Sequence, residues 1–154
     1  LAEVVRMREA EGRRLEADMR ERLEALLGAL DTVEARAPER LERERDRLRD
    51  AVRELTEKEE VDEDRLAREI AYLAEKWDIN EEVVRFRSHV DAFRDVLDDE
   101  SPEPAGKRLS FLVQEMHREA NTVGAKANDA AITEASVTMK EEVERLREQV
   151  ENVE

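Results

Sequence analysis

The stretch AITEASVTMKEEVERLREQVENV, residues 131–153, decides the fold. Within it Ile132, Met139, Val143, Leu146, Val150 and Val153 advance by three, four or seven positions, with Ser136 as the exception. On a helix turning about 100° per residue, that spacing draws one apolar line down one side, while Lys, Arg and Glu coat the rest. The near seven-residue repeat asks for a partner helix, from this chain or from another copy. Asn128 or Asp129, just upstream, can cap its start.

The same periodicity runs back through the chain. Leu109, Leu112, Val113, Met116, Ala120 and Val123 predict a helix from about Lys107, ending near 124–127. The run Asp98 to Gly106, with Pro102 and Pro104, reads as a loop. Before it, Val83, Phe86, Val90, Phe93 and Leu97 mark one helix, and Leu66, Ile70, Leu73 and Trp77 another that Asp62 can cap. Asp78-Ile79-Asn80 separates these two. From Val4 to Ala35 a long helix carries Leu15, Met19, Leu23, Leu26, Leu30 and Val33. Pro38 suits the first turn of a further helix with a thin stripe at Leu41, Leu48, Val52 and Leu55. The expectation is an all-α chain of about six helices: a long helical hairpin over residues 1–60, then a C-terminal helical bundle over 61–154.

Composition fits that reading. Charged residues make up 45% of the 154 and aromatics 3%, the profile of solvated helices with narrow apolar stripes rather than of a large core. The formal charge of −15 is uneven: residues 1–60 hold 14 Lys/Arg against 18 Asp/Glu, and the rest 13 against 24. Such acidity opposes general binding to a polyanion, so a nucleic-acid role requires local basic clusters, bound cations or a further segment. No cysteine is present, which removes disulfides and thiolate metal sites. No apolar run is long enough to span a bilayer and no signal-peptide pattern opens the chain, so no membrane partner is expected and the cytoplasm is the expected location. Leu1 already stands inside a helical pattern, which suggests that an upstream part precedes it.

Gly106-Lys107-Arg108-Leu109-Ser110-Phe111-Leu112-Val113-Gln114-Glu115-Met116-His117-Arg118-Glu119-Ala120-Asn121-Thr122 resembles the GRKLDFLxQEMNREANT block of the YicC-like endoribonucleases. The likeness continues through Gly124-Ala125-Lys126-Ala127-Asn128-Asp129, similar to GSKxND, and through Leu146 to Glu154, similar to IREQVQNIE. Upstream, Arg65 to Ala71, Asp78 to Glu82, and Arg87-Ser88-His89-Val90 with Phe93 resemble RLxQEIA, DIxEE and RLxSHxxxF, and Met7-Arg8-Glu9 with Glu11-Gly12 resembles MRxxEG. The resemblance covers the C-terminal region of that family. It implies a cytoplasmic endoribonuclease that depends on a divalent cation, Mn²⁺ or Mg²⁺, assembles as a homo-oligomer, a hexamer, and has RNA rather than DNA as its partner. Arg68, Ser110 and His117 stand where the family has Gln, Asp and Asn.

RNA cleavage needs a base for water or the 2′-hydroxyl, a donor for the leaving oxygen and positive charge on the reacting phosphate. Carboxylates that hold a divalent cation can serve more than one of these needs. Arg108, Glu115, Glu119, Thr122 and Lys126 fall along one flank of a helix. The candidate roles are Glu115 and Glu119 as metal ligands or acid/base groups, with Arg108, Arg118 and Lys126 on phosphate. A charged surface tied up in helix pairs accounts for the same spacing. His89 shares a flank with Glu82 two turns away, and imidazole titrates near neutrality, so it ranks first among acid/base candidates. Asp129 is a further candidate metal ligand, with helix capping as its other role, and His117 is expected to be solvent-exposed. No Gly-rich phosphate loop, GxSxG elbow or zinc-finger spacing is present. Two other functions fit the residues: a helical oligomerisation module whose chemistry lies in an upstream domain, and an adaptor that recruits another RNA-decay enzyme.

Overall fold

The computed structural model describes residues 1–56, 60–101 and 103–153, and the side chain of Thr56 is not among them. Pro102, one of the two prolines that mark the expected loop, and Glu154, at the end of the family-like block, lie outside the described residues. Five helices follow in order among these residues: α1 (Ala2–Thr56), α2 (Glu63–Lys76), α3 (Asn80–Asp98), α4 (Gly106–Ala125) and α5 (Ala130–Val150).

The expected break at Pro38 does not occur. Residues on both sides of it belong to one helix of 55 residues, roughly 80 Å long at about 1.5 Å per residue. Proline removes one backbone donor and crowds the preceding turn, a cost of about 3 kcal/mol inside a helix. Tertiary contacts on either side hold the helix through this point. Met19 to Val33 lie in the core, and Arg40, only 4% exposed, is bonded to two other parts of the chain. The hairpin expected within residues 1–60 is therefore corrected: the chain reverses after Thr56, and α2 returns along the second half of α1. Arg49 pairs with Glu63 at 2.9 Å near the turn, and Arg40 reaches the Trp77 carbonyl at the far end of α2.

The other four-way packing is an up-and-down bundle. α3 runs antiparallel to α1, since Arg20 meets Asp98 at 2.5 Å and Arg87 meets Asp31 at 2.7 Å. α5 is antiparallel to α1 as well, with Arg22 on Glu142 at 3.1 Å and Arg36 on Asp129 at 3.2 Å. α4 lies between α3 and α5, and the apolar lines of α1, α3, α4 and α5 meet in one core. Phe86, Phe93, Met116, Ile132, Met139 and Leu146 are fully buried there, each contributing about 1.5–3 kcal/mol of transfer free energy.

The partner demanded by the α5 seam comes from this chain. Ser136, the polar interruption of the repeat, is 2% exposed and donates from Oγ to the Thr133 carbonyl at 2.7 Å. Gly124 of α4 sits so close that a Cβ there would lie 3.1 Å from the Ser136 hydroxyl, so a small residue suits both positions.

The caps match the expected ones. Asp62 accepts from the Arg65 amide at 3.1 Å, and Asp129 accepts from the Ile132 amide at 3.1 Å. Asn128 takes the left-handed backbone region, φ 41°, which asparagine tolerates better than most residues. Residues 1–14 of α1 are exposed all round, and Leu1, Val4, Val5 and Met7 project there without partners in the core. Among the described residues no helix is long and apolar enough to cross a membrane.

Candidate active site

The antiparallel register of α3 and α4 is set by two charged contacts. Arg85 Nε donates to Glu119 Oε1 at 2.9 Å, and Lys126 Nζ donates to Glu82 Oε1 at 2.8 Å. Four residues on from Arg85 stands His89; four back from Glu119 stands Glu115. In this register they occupy facing positions on the seam, one helical turn beyond the Arg85–Glu119 pair. His89 and Glu115, candidates on separate helices in the sequence, are thus brought to one line with Glu119 and Lys126.

Burial differs along that line. Glu82 and Glu119 are 4% and 5% exposed, so each requires a compensating charge. Arg85 supplies it for Glu119, and Lys126 with Arg85 for Glu82: the Arg85 guanidinium lies 3.7 Å from Glu82 and 3.2 Å from Glu81. These contacts, led by the hydrogen bond to Glu119, raise the Arg85 pKa above its ordinary value. Lys126 also donates to the Asp78 carbonyl at 3.1 Å. Glu82 Oε2 is buried and meets no hydrogen-bond donor among the described residues, although the carboxylate as a whole is paired with Lys126 and Arg85. Between Glu82 and His89 the cation in place is therefore Arg85.

Further along, the seam opens. The Glu115 side chain is 21% exposed and 3.6 Å from Arg118, itself 72% exposed. His89 is half-buried and makes no hydrogen bond or ion pair among the described residues. At the loop end Arg108 pairs with Asp99 at 3.3 Å. One end of the seam is thus closed by paired charges, and the other presents an imidazole, a carboxylate and two accessible arginines.

Asp129 belongs elsewhere. Its side chain, 0% exposed, turns toward α1, where Oδ1 accepts from Arg36 and Arg43 while Oδ2 caps α5. Burial pushes this carboxyl up, but the Arg43 and Arg36 guanidiniums and the Ile132 amide outweigh burial and hold it at about 2. Both oxygens of Asp129 are bonded within the fold, and its side chain faces α1 rather than Glu115 and Glu119. Among the described residues no three His, Asp or Glu side chains converge as a metal-ligand set. His117 is exposed, as expected.

Two functional-looking positions escaped the sequence reading. Arg85 was hidden among many arginines; its only local signal is Glu81 four residues before it and Glu82 three before. Arg40 is the buried staple of the fold. It donates to the carbonyls of Lys126 at 2.5 Å, Ala127 at 2.8 Å and Trp77, and its guanidinium lies 5.9 Å from the centre of the Trp77 ring. It fastens the α4–α5 turn, and with it Lys126, to α1 and to the end of α2.

Residues 33–154 match the family described as Endoribonuclease YicC-like, C-terminal. Over 75 residues, 48% of the chain, the sequence is 44% identical to a protein of Clostridioides difficile (strain 630) named Probable endoribonuclease YicC. Over 74 residues, also 48% of the chain, it is 36% identical to the Haemophilus influenzae protein of the same name. The matched stretch spans 25% of the length of each relative.

Proposed function

Because the chain belongs to the YicC-like endoribonuclease family through that family's C-terminal region, we propose that it forms the RNA-cleaving part of such an enzyme, with the open half of the α3–α4 seam as the reacting site. The observation that carries this reading is the α3–α4 register fixed by Arg85 on Glu119 and Lys126 on Glu82, which puts His89 and Glu115 one turn further along the same seam, next to exposed Arg118.

The chemistry follows from what each group can do. Arg118 and Arg108 are exposed enough to meet phosphate oxygens, and a guanidinium suits their planar geometry. His89, without a competing partner, is placed to take a proton from water or a 2′-hydroxyl, or to return one to the leaving oxygen. Glu119, fixed by Arg85, holds one wall of the site rigid, and Lys126 on Glu82 fixes its closed end. Glu115 and the Glu119 oxygen that Arg85 does not bond are the donors of the type that a hard divalent cation, Mn²⁺ or Mg²⁺, takes. Such an ion, when bound, supplies charge neutralisation at the phosphate. Asp129 is left out of this set because two guanidiniums and an amide already occupy it. The formal charge of −15 confines RNA contact to this local basic edge and to whatever lies outside these residues. Assembly into a homo-oligomer and a cytoplasmic setting complete the reading.

A second reading rests on Leu1, Val4, Val5 and Met7, exposed on the projecting first turns of α1. On that reading the chain is an assembly module and the chemistry lies elsewhere in the protein. Incubating the purified chain with end-labelled RNA, with Mn²⁺ or with a chelator, separates the two. Cleavage that requires the ion supports the seam; intact RNA with this chain, alongside cleavage by a longer protein that contains it, supports the assembly module.

A further inference from the structure

The chain has three phenylalanines, and they are treated very differently: Phe86 and Phe93 are fully buried, while Phe111 is 59% exposed. Phe111 sits on α4 one turn before Glu115, about 6 Å along the helix axis. It lines a shallow cleft of about 370 Å³ with Ala92, Val96, Lys107, Arg108 and Leu112. One wall is therefore aliphatic, the rim is cationic, and an aromatic face stands between them. Lys107 is exposed and makes no ion pair among the described residues. Among the described residues Arg108 pairs with Asp99 at 3.3 Å. The patch thus joins an exposed aromatic ring to two cationic side chains on a molecule with a formal charge of −15.

We infer that Phe111, with Lys107 and Arg108, forms a stacking subsite for one unpaired base of the RNA, seated next to the reacting end of the seam. This deepens the endoribonuclease reading and rests on it. An aromatic face accepts any base by stacking, and the two cations take the flanking phosphates, so the subsite selects single-stranded RNA over duplex without reading sequence. Its place, one turn from Glu115, positions the neighbouring phosphate toward Arg118 and His89. Phe111 touches no reacting atom and is a positioning residue.

The test is fluorescence anisotropy of a labelled single-stranded uridine oligonucleotide, titrated with the protein in chelator so that nothing is cleaved. Phe111→Ala is expected to weaken binding roughly five- to hundred-fold, the size of one base–aromatic stack, with the melting temperature unchanged because the ring is exposed. Phe111→Trp should restore binding, and Phe111→Ala should lose the preference for single strand over a hairpin of the same length. Lys107→Ala should flatten the salt dependence instead. If wild type binds RNA and Phe111→Ala binds equally well, the subsite is overturned while the enzyme reading stands. If Phe111→Ala changes only the oligomeric state, the ring is a protein contact and the subsite is likewise overturned. If wild type neither binds nor cleaves RNA, the enzyme reading fails and takes the subsite with it.

Discussion

Asp129→Asn separates the charge of this residue from its shape. Asparagine caps a helix as well as aspartate does, so the bond to the Ile132 amide survives, while the attraction to Arg36 and Arg43 is lost. The folded carboxyl titrates at about 2 against an ordinary 3.8. A depressed folded pKa stabilises the native state fully above the unfolded value, and this contribution falls away as pH drops from about 5 toward 2. The gap between the two values corresponds to roughly 2 kcal/mol as an upper bound, since Arg36 and Arg43 are 37% and 57% exposed and solvent screens their attraction. Urea titrations followed by helical circular dichroism should therefore show Asp129→Asn about 1–2 kcal/mol less stable near neutrality. The difference should shrink toward zero near pH 2. Asp129→Ala should lose a further ~1 kcal/mol with the cap. Equal stability near neutrality, or a gap that stays constant down to low pH, would mean that the charge of Asp129 does not stabilise the fold. RNA cleavage should persist in Asp129→Asn; its loss at intact fold would return Asp129 to the metal site.

Replacing Pro38 by alanine should stabilise α1 by about 1–3 kcal/mol, read as a rise in melting temperature, because the helix regains a donor and loses a steric conflict. A loss of stability would mean instead that the ring is needed where it lines the cleft with Arg40 and Ile79. Arg40→Met should cost about 3–5 kcal/mol, since it strands carbonyls of Lys126, Ala127 and Trp77. Hydrogen exchange at residues 126–130 should accelerate before the rest of the bundle, and uniform protection would argue against its role as a staple.

The lines of Leu109 to Val123 and of Ile132 to Val150 were legible because each needs only its own 3.6-residue period. Asp62 and Asp129 were legible as caps for the same reason: the amide that each accepts from lies three residues away. Pro38 was misread because its local meaning, a helix start, is overruled by contacts that local spacing does not encode: Arg40 reaches carbonyls 37 to 87 residues away. For the site, Glu115 and Glu119 show themselves by falling on one flank, but their placement on the same seam as His89 depends on the register between α3 and α4. That register is written in Arg85 with Glu119 and Lys126 with Glu82, pairs 34 and 44 residues apart among many equivalent charges. Asp129 illustrates the reverse case, a carboxylate that spacing allows as a ligand and that Arg36 and Arg43, 93 and 86 residues before it, occupy.

Whether the open half of the seam does the chemistry is decided by single-turnover cleavage of labelled RNA in Mn²⁺ by wild type, His89→Ala and Glu115→Gln, with unfolding curves measured alongside. Neither residue is fully buried, so both variants should fold as wild type does. Each substitution should lower the rate roughly a hundred-fold or more, the size expected when an acid/base group or a ligand is removed. Cleavage at the wild-type rate by the His89→Ala/Glu115→Gln double variant would contradict this and place the reaction outside the seam.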